Sequence, residues 1–301
     1  MCSTQLNNSK IQIQIDEYSG VCPGVARAIS LAEEALGQGI KLVSVGPIIH
    51  NRVEIRRLGA LGLQTCEQSI FEDTTDWQKT LSGKTLLIRA HGIAPALREK
   101  LINANFSLID ATCPIVIRSQ QLVAHYGQAG YQIILLGKIN HPEIKALAGC
   151  AETPPIIINH PEQVENVDAV GKVFVIAQTT IDYELFKQLL KAIEARIPEV
   201  EYKNTICRAM KARYNRLKSF ARAMDLIIFV GGHNSSNTKV LCDICRSENK
   251  NSYHIEDVGE IDWRWFNGHD RIGIAGSAST PVWQLESIQT YLQKNLEKIR
   301  T

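Results

Sequence analysis

Three observations predict an α/β fold of three similar units with largely parallel sheets. Short β-branched or leucine-rich runs end in Gly or small polar residues, helix-like stretches alternate with them, and three cysteines divide the chain almost evenly. Alternation of strand and helix argues for layered α/β architecture. Apolar runs without a polar alternate argue for strands covered on both faces, as parallel sheets are.

The strand-like runs are KLVSVGP (41–47), KTLLIRAHG (84–92), YQIILLGKINH (131–141), GKVFVIAQTT (171–180), DLIIFVGGHNSSN (225–237) and DRIGIAGSAST (270–280). Helical stretches lie between them at 25–36, 118–130, 183–197 and 212–224. Cys22, Cys113 and Cys207 are 91 and 94 residues apart, and each third of the chain holds two strand–polar-loop endings. The units are therefore placed at 1–112, 113–206 and 207–301, with the N-terminal strand packing with the third; one continuous sheet is the alternative. Ligands in open α/β sheets bind beyond the carboxyl ends of the strands. Three units facing inward would bring the polar loops to one central cleft.

A chain of 301 residues exceeds the usual single domain. Its composition, 45% hydrophobic and 21% charged with net charge +2, has no long single-sign block, which argues against nucleic acid or an anionic membrane as partner. The segment MCSTQLNNSKIQIQI lacks the basic and apolar regions of a secretory signal, and no 18-residue apolar run occurs. The expectation is a soluble cytoplasmic protein whose eight cysteines stay reduced.

The loops carry His50 in GPIIHN, His91 in RAHG, and His141 with Glu143 in NHPE. Gln178, Thr179 and Thr180 follow another strand, Ser235, Ser236 and Asn237 another, and Ser279 and Thr280 the last. Hydroxyls, amides, imidazoles and backbone N–H groups at helix starts suit a phosphate or diphosphate. Taken singly, each is equally a turn residue or N-cap. An odd number of regularly placed thiols suggests a shared object such as an iron–sulfur cluster, since disulfides need pairs; each thiol alone reads as a small buried residue. Cys242 and Cys245 form a CxxC on a helix, a local metal or redox motif or a structural pair without a second CxxC to complete a zinc site. Cys2, Cys66 and Cys150 have no supporting context.

GVCPGVARAI, HN at 50–51, AHG at 90–92, DATCP at 110–114, HPE at 141–143, QTT at 178–180, IC followed by Ala209 and Arg213, NSSN at 234–237 and ASTP at 278–281 occur in one order over nearly the whole chain. In this the sequence resembles the 4-hydroxy-3-methylbut-2-enyl diphosphate reductase family, IspH or LytB. The resemblance implies three α/β units around a 4Fe-4S cluster held by Cys22, Cys113 and Cys207, with the fourth iron left to the substrate hydroxyl. It implies a diphosphate pocket of His50, His91, His141, Ser235, Ser236, Asn237 and Ser279, with Glu143 as proton source and Thr179 beside the substrate. The implied reaction removes an allylic hydroxyl as water and yields isopentenyl and dimethylallyl diphosphate. A low-potential carrier such as ferredoxin or flavodoxin would supply electrons. The basic residues Arg213, Arg216, Lys218 and Arg222 would dock an acidic carrier or simply form a solvated helix face.

Four positions depart from the family's usual residues: Val21 for Phe, Met210 for Thr, Tyr214 for Gln and Val282 for Asp. They leave open a divergent iron–sulfur paralogue with another substrate or a redox-sensing role. A cluster-free phosphate-ligand binding protein is a third reading.

Overall fold

The apolar runs become the inner strands of three four-stranded parallel sheets. The computed structural model describes residues 11–72, 76–168 and 171–300; the side chains of Ser236 and residues 297–300, and Cys2 altogether, lie outside the described residues. In chain order the elements begin β1 (Gln12–Ile15), α1 (Pro23–Gly37), β2 (Leu42–Val45), α2 (Arg52–Ala60), β3 (Gln64–Cys66), α3 (Trp77–Thr80), β4 (Thr85–Ile88), α4 (Pro95–Asn103) and β5 (Leu108–Asp110). They continue with α5 (Pro114–Gln128), β6 (Gln132–Leu136), α6 (Pro142–Ala148), β7 (Ile156–Ile158), β8 (Val173–Ala177), α7 (Tyr183–Glu194) and β9 (Val200–Lys203). The last are α8 (Arg208–Ala223), β10 (Leu226–Val230), α9 (Ser236–Glu248), β11 (Ser252–Ile255), β12 (Arg271–Gly276) and α10 (Val282–Arg300).

The chain divides into two compact units. A terminal unit comprises Met1–Cys22, Ile49–Arg56 and Ala212–Thr301; a central unit comprises Pro23–Ile48 and Arg57–Lys211. The central unit holds two sheets, ordered β3-β2-β4-β5 and β7-β6-β8-β9. The terminal unit holds the third, β11-β10-β12-β1. All three share one order: second strand, first, third, then a last strand, and in the terminal unit that last place is taken by the N-terminal β1, paired in parallel with β12. The order reverses between the first and third strands, where a doubly wound sheet opens its ligand crevice.

Both faces of the inner strands are covered, which is why the sequence shows no alternation there. In the central unit Ile134, Val175 and Leu189 pack on one side of a sheet. Ile133, Leu135 and Phe174 pack on the other, where Tyr126 stacks on Phe174 at 3.6 Å between ring centroids. In the terminal unit Ile228, Ile274 and Leu285 fill one core, and Ile227, Phe229 and Leu241 the other. Each such aliphatic side chain contributes about 1.5–3 kcal/mol by leaving water.

Cys242 and Cys245 lie in that second core. Burial pushes the Cys242 thiol up to about 11 and the Cys245 thiol higher still, and both pack as small apolar residues of α9. Tyr214 also packs there, beside Leu217 and Cys242. Among the described residues no helix is long and apolar enough to cross a membrane. In the folded protein at pH 8, iodoacetamide should leave Cys242 and Cys245 unmodified, with labelling only after unfolding; mass spectrometry of the native protein checks this, and alkylated Cys245 would contradict the burial.

Candidate functional site

In the central unit the loops after β4, β6 and β8 bring four of the sequence-selected side chains into two contacting pairs. Cys113 follows β5 directly and caps α5, its N–H bonded to Ala90 O at 3.0 Å. Its turn is braced on three sides. Asp110 accepts from Thr112 N at 2.9 Å and pairs with Arg98, while Arg27 donates to Asp110 O at 3.2 Å and Thr112 O at 3.4 Å. Burial raises the Asp110 carboxyl, but the Thr112 and Arg98 hydrogen bonds outweigh it and hold the group below its ordinary value. Arg89, one residue before Ala90, is buried against Gly46 and donates to Pro47 O at 2.9 Å. Desolvation pulls its guanidinium down to about 10, still charged at neutral pH. Arg27, Asp110 and Arg89 all lie inside or beside the sequence motifs, yet only the three-dimensional contacts give them a role.

His91 and His141 meet edge to face, with ring centroids 5.2 Å apart. His141 caps α6 by accepting Glu143 N at its Nδ1, 3.2 Å away. That turn drives Glu143 into the interior, where it is buried. Its carboxylate accepts from Thr179 N at 2.7 Å and Thr179 Oγ1 at 2.9 Å. Desolvation dominates: burial pushes the carboxyl up to about 7 even though both Thr179 bonds lower it. Thr179 O in turn accepts from Cys207 N at 2.9 Å, so the proton-bearing pair and the thiol that precedes α8 share one residue.

In the terminal unit, Cys22 N donates to Ala278 O at 3.2 Å, directly beside Ser279. The Cys22 loop is pinned by Ser19, whose hydroxyl donates to Asp16 at 2.7 Å and accepts Gly276 N at 2.7 Å. Arg213 Nη2 donates to Gly20 O at 2.8 Å. Gly20 has φ +126°, and an added Cβ would stand 3.0 Å from Val282, so the residue that departs from Asp packs on this turn. Ser235 caps α9 by accepting Thr238 N at 3.2 Å, and Ser279 Oγ reaches it at 3.4 Å. The amide oxygen and nitrogen of Asn237 are both buried with no hydrogen-bond partner among the described residues. Asn237 thus carries an unused Nδ2 donor and an unused Oδ1 acceptor on the first turn of a helix of 13 residues capped by Ser235. Gly232 lies so close to His50 that an added Cβ would sit 2.2 Å from its carbonyl oxygen, which places the histidine's backbone against the same loop. The backbone of Ser236 opens α9. Met210, in the central unit, is buried.

None of the described cysteines forms a disulfide, and within either unit no three His, Cys, Asp or Glu side chains among the described residues gather as a metal-binding group. The three evenly spaced thiols differ from Cys242 and Cys245 in being half-buried, and each immediately precedes the first residue of a helix of 15 or 16 residues, α1, α5 or α8.

A family model described as LytB protein matches residues 13–293. The chain is 36% identical to a 4-hydroxy-3-methylbut-2-enyl diphosphate reductase of Chlorobaculum parvum, over 94% of this chain and 97% of the relative. It is 37% identical to the one of Aquifex aeolicus, over 95% and 98%. Its backbone resembles a solved structure of (E)-4-hydroxy-3-methyl-but-2-enyl diphosphate reductase, the terminal enzyme of the non-mevalonate pathway, with a TM-score of 0.72, 36% identity and coverage of 94% and 99%. The E-1-hydroxy-2-methyl-but-2-enyl-4-diphosphate reductase of Plasmodium falciparum gives a TM-score of 0.83 at 26% identity, covering 94% of this chain and 88% of that one.

Glu143 generates a pH-dependent stability. With its folded pKa of about 7 above the ordinary 4.5, the native state holds a proton that the unfolded state has lost between those values. Stability therefore falls as pH rises through that window, by about 3 kcal/mol in all. Glu143→Gln should unfold at higher urea concentration than wild type at pH 8, and the difference should vanish below pH 4.5. Equal midpoints at pH 8 would mean that the carboxyl ionises without cost.

Proposed function

The chain belongs to the LytB protein family, and from that premise we infer a reductase that removes the hydroxyl of 4-hydroxy-3-methylbut-2-enyl diphosphate, forming isopentenyl and dimethylallyl diphosphate at the last step of the non-mevalonate isoprenoid pathway. Two electrons and two protons enter and one water leaves. The observation that carries the reading is the buried Glu143–Thr179 pair: a carboxyl poised near neutrality and bonded to a hydroxyl is what protonation of a poor leaving group requires. The family match along 13–293 supports the reductase reading over a cluster-free binding protein.

Cys22, Cys113 and Cys207 are the residues that would hold a 4Fe-4S cluster. Three thiols, each at a helix N-terminus and each kept out of the apolar cores, are the soft donor set such a group takes. When bound, the cluster supplies single electrons and Lewis acidity toward the leaving oxygen. A low-potential one-electron carrier such as ferredoxin or flavodoxin is the proposed donor, and the cytoplasm the proposed compartment.

The chain's own residues supply binding and the proton. Asn237, Ser235, Ser236 and Ser279, together with His50, are the proposed donors for diphosphate oxygens; His91 and His141 each add one imidazole N–H, His141 from Nε2 because its Nδ1 accepts Glu143 N. Thr179 relays the proton. When Glu143 is ionised, Thr179 Oγ1 donates to it; when Glu143 is protonated, its O–H donates to Thr179 Oγ1, whose hydrogen then turns toward the substrate hydroxyl. The desolvation that raises the Glu143 pKa to about 7 leaves a large fraction of the carboxyl protonated at neutral pH, ready to pass its proton to the leaving oxygen. Tyr214, directed into the core of α8 and α9, does not narrow the pocket chemistry, which favours the family substrate over a different one.

Anaerobic reconstitution with iron and sulfide should give a brown protein that consumes the substrate with reduced viologen as donor. Glu143→Gln should keep the absorption spectrum and lose at least a hundredfold in turnover, within the range usual for removal of a general acid. A brown wild type that leaves the substrate untouched would sink the substrate assignment, and a colourless one the cluster. Cys113→Ser should fail to develop the colour.

A further inference from the structure

His50 is followed by a buried amide that anchors it from behind. Asn51 caps α2, its Oδ1 accepting Glu54 N at 3.0 Å. Its other end donates from Nδ2 to Gln284 Oε1 at 2.8 Å, on the first turn of α10. Gln284 Nε2 donates to Glu256 O at 2.8 Å, and the Glu256 carboxylate closes the circuit by accepting Arg52 N at 2.9 Å. Asn51, Gln284 and Glu256 are all buried. A second tie runs alongside, from Trp283 Nε1 to the buried Glu54 carboxylate at 3.0 Å.

Every polar end of this amide pair is used, so the pair is no receptor for a ligand. Its net contribution to stability is small, because water bonded the same groups in the unfolded chain. What a satisfied buried amide pair does impose is a single geometry. The elements it joins are those of the proposed anion site: Gln284 lies five residues beyond Ser279, Glu256 directly follows β11, and Gly232, against the His50 carbonyl, opens the loop to Ser235 and Asn237. Position 50 is thus caught between a glycine in front and an amide clamp behind.

We propose that Asn51 and Gln284 are positioning residues for His50, their amide–amide hydrogen bond fixing its place in the diphosphate site of the terminal unit. The proposal rests on the reading of His50 as a diphosphate ligand. Without the clamp the first turn of α2 shifts on α10, and His50 loses its register with Ser279 and the Ser235–Asn237 loop.

The test is a double-mutant cycle on the cluster-loaded protein, read as the Kd of inorganic diphosphate by anaerobic calorimetry. His50→Ala and Gln284→Leu should each weaken binding by about tenfold, the worth of one buried hydrogen bond, and the double variant should bind no more weakly than His50→Ala alone. In turnover, Gln284→Leu should raise KM with kcat within about twofold. Should Gln284→Leu fail to fold, Gln284→Glu keeps the acceptor for Asn51 but loses the donor to Glu256, and should show the same non-additivity at smaller amplitude. Wild-type affinity in the Gln284 variants, or effects that add to that of His50→Ala, would overturn the positioning role. No effect of His50→Ala would instead overturn the diphosphate assignment of His50.

Discussion

Parallel pairing delivers the carboxyl ends of all four strands of a sheet to one edge, and every candidate residue depends on that constraint. The loops that carry hydrogen-bonding side chains leave the two inner strands, β2 and β4, β6 and β8, β10 and β12, on either side of the reversal in strand order. The cysteines leave the last-placed strand: β1 before Cys22, β5 before Cys113, β9 before Cys207. Their even spacing in the chain is therefore a shadow of repeated topology, one thiol and one helix start per sheet. Residue chemistry follows position within the repeat, with neutral hydrogen-bonding groups at the crevice and cysteines at the edge.

Within that frame Glu143 is the interior carboxyl that burial holds near neutrality. Burying Glu143 is costly when it is charged, and a lone pair of hydrogen bonds from Thr179 offsets only part of the cost. A third donor or a neighbouring cation would have made it an ordinary carboxylate, unable to give up a proton near neutrality. The chain withholds both: Arg89 and Arg98, the guanidiniums at the neighbouring loops, are spent on Pro47 O and Asp110. These strong charges brace the backbone and leave Glu143 to Thr179 alone.

The inner strands and the site loops were legible in the sequence because their causes are local. A strand covered on both faces must be apolar throughout, and the loop after it must bond something. The outer strands β3, β9 and β11 escaped notice for the converse reason: with one flank unpaired, QTC, VEYK and SYHI keep polar or exposed positions and carry no periodic signal, while β7 is apolar but only three residues long. The long α10 was equally silent, its apolar residues diluted by a polar outer face. Asn51 and Gln284 could not be read at all, since their meaning is a hydrogen bond between residues 233 positions apart. Tyr214, which looked like a change in the pocket, belongs to the core of its own unit, a distinction that only packing draws.

The pairing of β1 with β12 imposes an order of events on a nascent chain. The first of the three cysteines to be synthesised lies beside a strand whose partner emerges only with the last helix still to come. Cys113 and Cys207 rest on contacts made within the central unit, Ala90 for one and Thr179 for the other, which are complete much earlier. Closure between such distant segments is slow compared with local folding. Cys22 thus reaches its backbone hydrogen bond to Ala278 only after the third sheet has closed on β1, whereas the turns of Cys113 and Cys207 are set by contacts completed earlier.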